Sequence, residues 1–194
     1  NSYQELLEYI SKELNNPNQL IIGSDGAVPI KNAVQAVFPD TTHLYCTRHV
    51  RKNIERQLIK CRAIQEERRM LLEIIFDSSD SLLQSETEEE FDVRLEDLRT
   101  RWDVLKRNHE ARFRGATDFF QWFSQYQADV FRNHMIASLR IAAHYTHRNG
   151  SPRLFYNNDI ESMNYALKSQ TNWELQTLPD IIDILDKQIT RQRN

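Results

Sequence analysis

The chain has 194 residues, 40% of them hydrophobic, and a formal net charge of −3. That length allows one large core or two small ones, and the composition excludes a disordered chain. Two cysteines are too few for a disulfide framework, which points to a reducing compartment, and no apolar run approaches the roughly 20 residues of a membrane span.

"NSYQELLEYISKEL" opens mid-pattern, with Leu6, Leu7, Tyr9, Ile10 and Leu14 forming a helical stripe. It reads as the start of a fragment of a larger protein. "NNPN" breaks the helix, and "QLIIG" reads as a short buried strand that runs into Ser24-Asp25-Gly26. Pro29 suits the first turn of the next helix, which carries Ile30, Ala33, Val34 and Val37 and closes at Phe38-Pro39-Asp40. "THLYC" predicts a second strand, and "TRHVRKNIERQLIK" a helix with Val50, Ile54 and Leu58 on one face. Strand, helix, strand, helix is an α/β order, and crossovers of this length imply parallel strands.

From about Cys61 to Tyr145 helix follows helix. "EEEFDVRLEDLRTRWDVL" repeats Phe91, Leu95, Leu98, Trp102 and Leu105 at steps of three and four. "TDFFQWFSQYQADVF" and "HMIASLRIAAHY" continue the pattern, with breaks at Arg114-Gly115 and "HRNGSPR". Trp102 and Trp122 sit in apolar stripes and read as core; Trp173 has a polar setting that leaves another role open. "NNDIESMNYALKS" predicts a helix capped near Asn158 or Asp159, and a last helix starts near Leu178-Pro179. The expected organisation is an α/β first part (1–60), a helical insertion (61–154) and C-terminal helices (155–194).

Charge is unevenly spread. Basic residues dominate from Arg48 to Arg69, and acidic ones from Glu73 to Asp97. A basic stripe of this kind either meets a polyanion locally or is a solvated helix face.

Asp25 falls where a buried parallel strand ends, the edge at which α/β sheets gather ligands and catalytic groups. Glu161 lies on the late "DIESMN" helix. One carboxylate after a strand and another on a late helix is how phosphoryl-transfer enzymes hold divalent cations, while the ordinary roles are a turn residue and a first-turn Glu. Cys46 and His49 form a Cys-x-x-His pair, a plausible half of a zinc site. His144 and His147 are one helical turn apart and could be the other half; otherwise Cys46 and His49 are buried supports and the His pair faces solvent. Cys61 reads as core.

These residues resemble a known family. "IIGSDGAVPIKNAVQAVFPDTTHLYCTRHVRKNI" is similar to the core signature of Mutator-like (MULE-type) transposases, and "YNNDIESMNYALK" resembles that family's closing motif. The resemblance implies a partial ribonuclease H-like fold with a large helical insertion and an Asp-Asp-Glu site for magnesium or manganese. By position Asp25 is the second Asp and Glu161 the Glu. The first Asp belongs to a strand expected upstream of Asn1, since no Asp precedes Asp25, so this chain alone is expected not to cut DNA. Placement of the Cys46–His49 and His144–His147 pairs resembles the zinc site of Transib transposases and the related antigen-receptor recombinase. The implied partners are transposon-end and target DNA, with Arg48, Arg51 and Lys52 on phosphates, in a nuclear protein that does not enter membranes; a homo-oligomer is compatible with this, and the sequence leaves the oligomeric state open. The rival expectation is a domesticated descendant that binds DNA or protein without cleaving.

Overall fold

The computed structural model describes residues 2–14 and 20–157, together with Ser169 and Glu174. Residues Asn1–Tyr156 form one compact unit and Asn157–Asn194 a second. The helices expected near Asn158 and after Leu178, Glu161 and Trp173 therefore lie outside the described residues.

Helix α1 (Ser2–Glu13) buries none of its side chains fully and lies along α2 (Val28–Val37). Between them in the chain comes β1 (Ile21–Ser24), which pairs in parallel with β2 (Thr42–Tyr45), Ile21 opposite Thr42 and Ser24 opposite Tyr45. Pro29 sits in the first turn of α2, where a missing N–H costs nothing, and Ala33 and Val34 are its buried residues. Helix α3 (Thr47–Lys60) buries Val50, Ile54 and Leu58, the stripe its spacing predicts. The result is a mixed α/β chain, mostly helical, with a two-stranded parallel sheet among the described residues.

The helical part follows. Helix α4 (Gln65–Leu72) passes into a π-helical turn (Glu73–Asp77), and a 3-10 turn (Leu82–Gln84) leads to α5 (Glu88–Asn108). Thr87 caps α5 by accepting the Glu90 N–H. Helices α6 (Glu110–Phe113), α7 (Phe119–Tyr126), α8 (Ala128–His134) and α9 (Ala137–Ala142) complete it. The run "TDFFQWFSQYQADVF" is thus two helices, broken at Gln127. That break lets Phe123 and Phe131 meet in the core, ring centroids 5.6 Å apart.

Trp102 is buried with its indole edge-on to Phe113 and Phe119, at 5.1 and 5.5 Å. Phe91, Leu98, Phe119, Phe123 and Phe131 are fully buried around it, and Cys61 joins them. This core is continuous with Tyr45, Val50, Ile54 and Leu58, so the helices pack directly on the strand–helix unit.

After α9 the chain doubles back through a Thr146–Pro152 bridge and an Arg153 N–H bond to the Tyr145 carbonyl. It then crosses the sheet. The Phe155 carbonyl accepts the Thr47 N–H at 3.0 Å, and the Phe155 ring lies over Gly23. A Cβ on Gly23 would come within 2.0 Å of that ring, so only glycine admits the contact.

Candidate functional site

β1 ends in a tight polar turn. Asp25 is exposed at the C-terminal edge of the strand, and its Oδ1 accepts the Ala27 N–H at 3.0 Å. Gly26 has φ +80°, the left-handed region, and a Cβ there would approach the Tyr45 ring to 2.7 Å. Behind the turn, Ser24 Oγ accepts the Gly26 N–H at 3.0 Å and lies 2.8 Å from His43 Nε2. With the Ser24 oxygen already accepting, the arrangement that uses its own proton has Ser24 donating to His43, which fixes the tautomer by the network.

His43 is held neutral. Burial first, then His134 and Lys31, depress its pKa to about 4. His134 is also lowered, chiefly by burial. Its Nδ1 lies 2.8 Å from the His43 carbonyl, which can only accept, and its ring stacks on Tyr45 at 4.0 Å. Burial raises the Tyr45 phenol, and its hydroxyl has no hydrogen-bond partner among the described residues.

A cleft of about 300 Å³ opens beside the turn. Asp25, Gln127 and Val130 line it together with His49, Asn53 and Arg56 of α3. His49, Asn53 and Arg56 recur at steps of four and three, so one helical face meets the Asp25 turn.

Asp25 lies at the sheet edge where the strand pattern put it. Cys46 is fully buried at the N-cap of α3, its N–H bonded to the Ser24 carbonyl at 2.8 Å. His49 follows in the first helical turn and lines the cleft. His144 and His147 depart from expectation, because they do not share a helical face. Helix α9 stops at Ala142, His144 takes φ 55° just beyond it, and His147 lies in the following turn. Among the described residues no group of three or more His, Cys, Asp or Glu side chains gathers as a metal cluster.

Arg48 and Lys52 are exposed on α3. Arg51 is half-buried and bidentate to Asp77, at 2.6 and 2.8 Å, with its guanidinium 5.3 Å from the Phe76 ring centre. The hydrogen bond to Asp77 raises its pKa further. Arg56, which was not singled out in the sequence, is the α3 cation that lines the cleft. Asn53, Gln127, Ser24, His43 and His134 were missed as well. For Asn53 and Arg56 the signal was their helical spacing from His49; for the Ser24–His43 and His134–His43 contacts it was absent, since they join residues 19 and 91 positions apart.

No family model, curated protein or solved structure matches the chain. Among the described residues no helix is long and apolar enough to cross a membrane.

The donor set suits a phosphate ester beside a hard cation. Asp25 commits one oxygen to Ala27 and offers a solvent-facing carboxylate, the ligand type that magnesium and manganese select. Arg56 and Asn53 supply the charge and amide donors that bind phosphate oxygens.

Proposed function

We propose that this chain carries part of the active site of a DDE-type transposase, a DNA strand transferase built on a partial ribonuclease H-like fold. The observation that supports it best is the fixed, exposed Asp25 at the C-terminal edge of a parallel strand, facing a cleft with Arg56 and Asn53. The order strand, helix, parallel strand, basic helix agrees with the Mutator-like resemblance.

Asp25 and Glu161 are the residues that would hold magnesium or manganese. Bound there, such an ion lowers the pKa of a water and offsets charge that develops on phosphate. The chain's own residues do the rest. Arg56, with Lys52 and Arg48 on the same helix, attracts the DNA backbone, and Asn53 orients the phosphate by hydrogen bonding. The turn around Asp25 fixes one carboxylate oxygen on the Ala27 N–H, at a residue that lines the cleft.

The test uses the full-length protein, because no Asp precedes Asp25 in this chain. Asp25→Asn and Glu161→Gln keep shape and remove charge. Cleavage of a transposon-end duplex should fall at least about 100-fold, while duplex affinity, set mainly by Lys and Arg, changes little. Unchanged cleavage in both variants would show these carboxylates to be structural. A wild-type protein that binds DNA and never cuts it would establish the domesticated reading instead.

A further inference from the structure

We infer that Ser24, His43 and His134 are positioning residues that fix the Asp25 turn from the helical part of the chain. This rests on the reading of Asp25 as a catalytic carboxylate. Two routes run unbroken from α8 to the turn, one through His43 and Ser24 and one through Tyr45. His134 donates through Nδ1–H to the His43 carbonyl at 2.8 Å and stacks on Tyr45 with an interplanar angle of 5°. Tyr45 fills the space beside Gly26 that a side chain would need. Ser24 joins His43 at 2.8 Å and takes the Gly26 N–H at 3.0 Å.

Asp25 lies between two residues so held, and its own Oδ1 is tied to Ala27. Its backbone and one carboxylate oxygen are therefore set by neighbours rather than by solvent. Plain core packing does not account for this composition. Ser24 and His43 are 7% and 6% exposed, and buried polar groups cost free energy unless they are hydrogen-bonded. Leu or Val at these positions would fill the same face without that cost. Beyond the Ser24–His43 bond between them, this set bonds the backbone of the turn and of β2, which is what a device for holding Asp25 needs.

The test pairs Ser24→Ala with Ser24→Thr, and adds His134→Phe, which retains the stacked ring and loses the donor. His43 is left unchanged in this test, because its buried ring also contacts Tyr45 and His134, and its loss would disturb several parts of the path at once. Amide hydrogen exchange is read at Gly26 and Ala27 against the core amides of Leu98 and Phe123. In Ser24→Ala the turn amides should exchange about tenfold faster or more while the core amides hold. Ser24→Thr should restore protection, and His134→Phe should give an intermediate loss. In the full-length protein, kcat for cleavage with manganese should fall at least about tenfold at constant KM, and Ser24→Thr should recover it. Unchanged turn exchange in Ser24→Ala overturns the inference. Loosened exchange with unchanged kcat overturns the positioning role and leaves only a structural bond. If the wild-type protein never cleaves, paramagnetic broadening of the Gly26 amide by Mn2+ decides. Broadening that weakens in Ser24→Ala supports positioning of Asp25, and no broadening in the wild type refutes both readings.

Discussion

The sheet edge and the helical core are built from opposite materials. Around Trp102 the helices bury carbon: Phe91, Leu98, Phe119, Phe123 and Phe131 are all fully excluded from water. On β2 one buried face instead holds His43 and Tyr45, with Leu44 buried on the other, and the one buried residue of β1 is Ser24. A two-stranded parallel sheet has little stability of its own. Stability therefore comes from the helices, and the edge is free to hold polar groups in fixed positions. The two regions are joined through the shared core and through residues that reach across it.

Arg140 makes one of those connections. It is 2% exposed, and burial lowers its pKa to about 10. Its donors reach the carbonyls of Leu83 at 2.7 Å, Met135 at 2.9 Å and Arg153 at 3.1 Å. It thus ties the 3-10 turn, the start of α9 and the returning segment that carries Phe155. Arg140→Met keeps most of the volume and strands those carbonyls, which should cost about 5 kcal/mol. Urea denaturation measures it. A loss below about 1 kcal/mol would mean that water replaces the guanidinium and that the regions are joined by apolar packing alone.

The polar face should fail in acid before the apolar core does. His43 has its pKa depressed to about 4 by burial, His134 and Lys31, against 6.5 in a free chain. The folded state binds that proton more weakly than the unfolded one. The stability from neutral His43 is thus complete above pH 6.5 and is lost as pH falls through about 4. The loss should reach about 3 kcal/mol, with a further loss of the same sign from His134. Denaturation midpoints of wild type and His43→Asn between pH 7 and 4.5 read it. The variant should be weaker at pH 7 and flatter below 6.5; equal slopes would show that His43 is solvated enough to protonate freely.

Legibility in the sequence divides along the same line. Helix α3 matched its pattern from Thr47 to Lys60 because Val50, Ile54 and Leu58 encode a face locally. Asp25 was legible because a strand end and a glycine are local signals too. The role of Arg51 was not: its partner Asp77 is 26 residues away, delivered by a π-helical turn that no periodicity announces. The Ser24–His43 and His134–His43 contacts span 19 and 91 residues, and only the tertiary fold brings them together. The break at Gln127 and the stop after Ala142 were hidden by apolar residues that continue the helical spacing on both sides.

That stop supplies the smallest and sharpest expected effect. Helix α9 ends with Tyr145 N–H bonded to the Arg140 carbonyl at 2.8 Å and His144 N–H to the Ile141 carbonyl at 2.9 Å. These are the two bonds of a Schellman closure, whose left-handed position usually holds glycine. His144 occupies it with φ 55°. The same closure ends α3, with Arg62 at φ 66°, but there the guanidinium donates to the Arg112 and Arg114 carbonyls and has a reason to stay. An exposed His144 serving only as a helix end is strained for nothing. His144→Gly should then stabilise the protein by about 0.5 kcal/mol, the relieved left-handed strain less the added freedom of the unfolded chain. Arg62→Gly should destabilise it. If instead Cys46, His49, His144 and His147 together hold zinc, His144→Gly removes a ligand. Stability should then fall by several kcal/mol, and elemental analysis should show the loss of about one zinc per chain. The sign of one small substitution thus separates a helix terminator from a metal ligand.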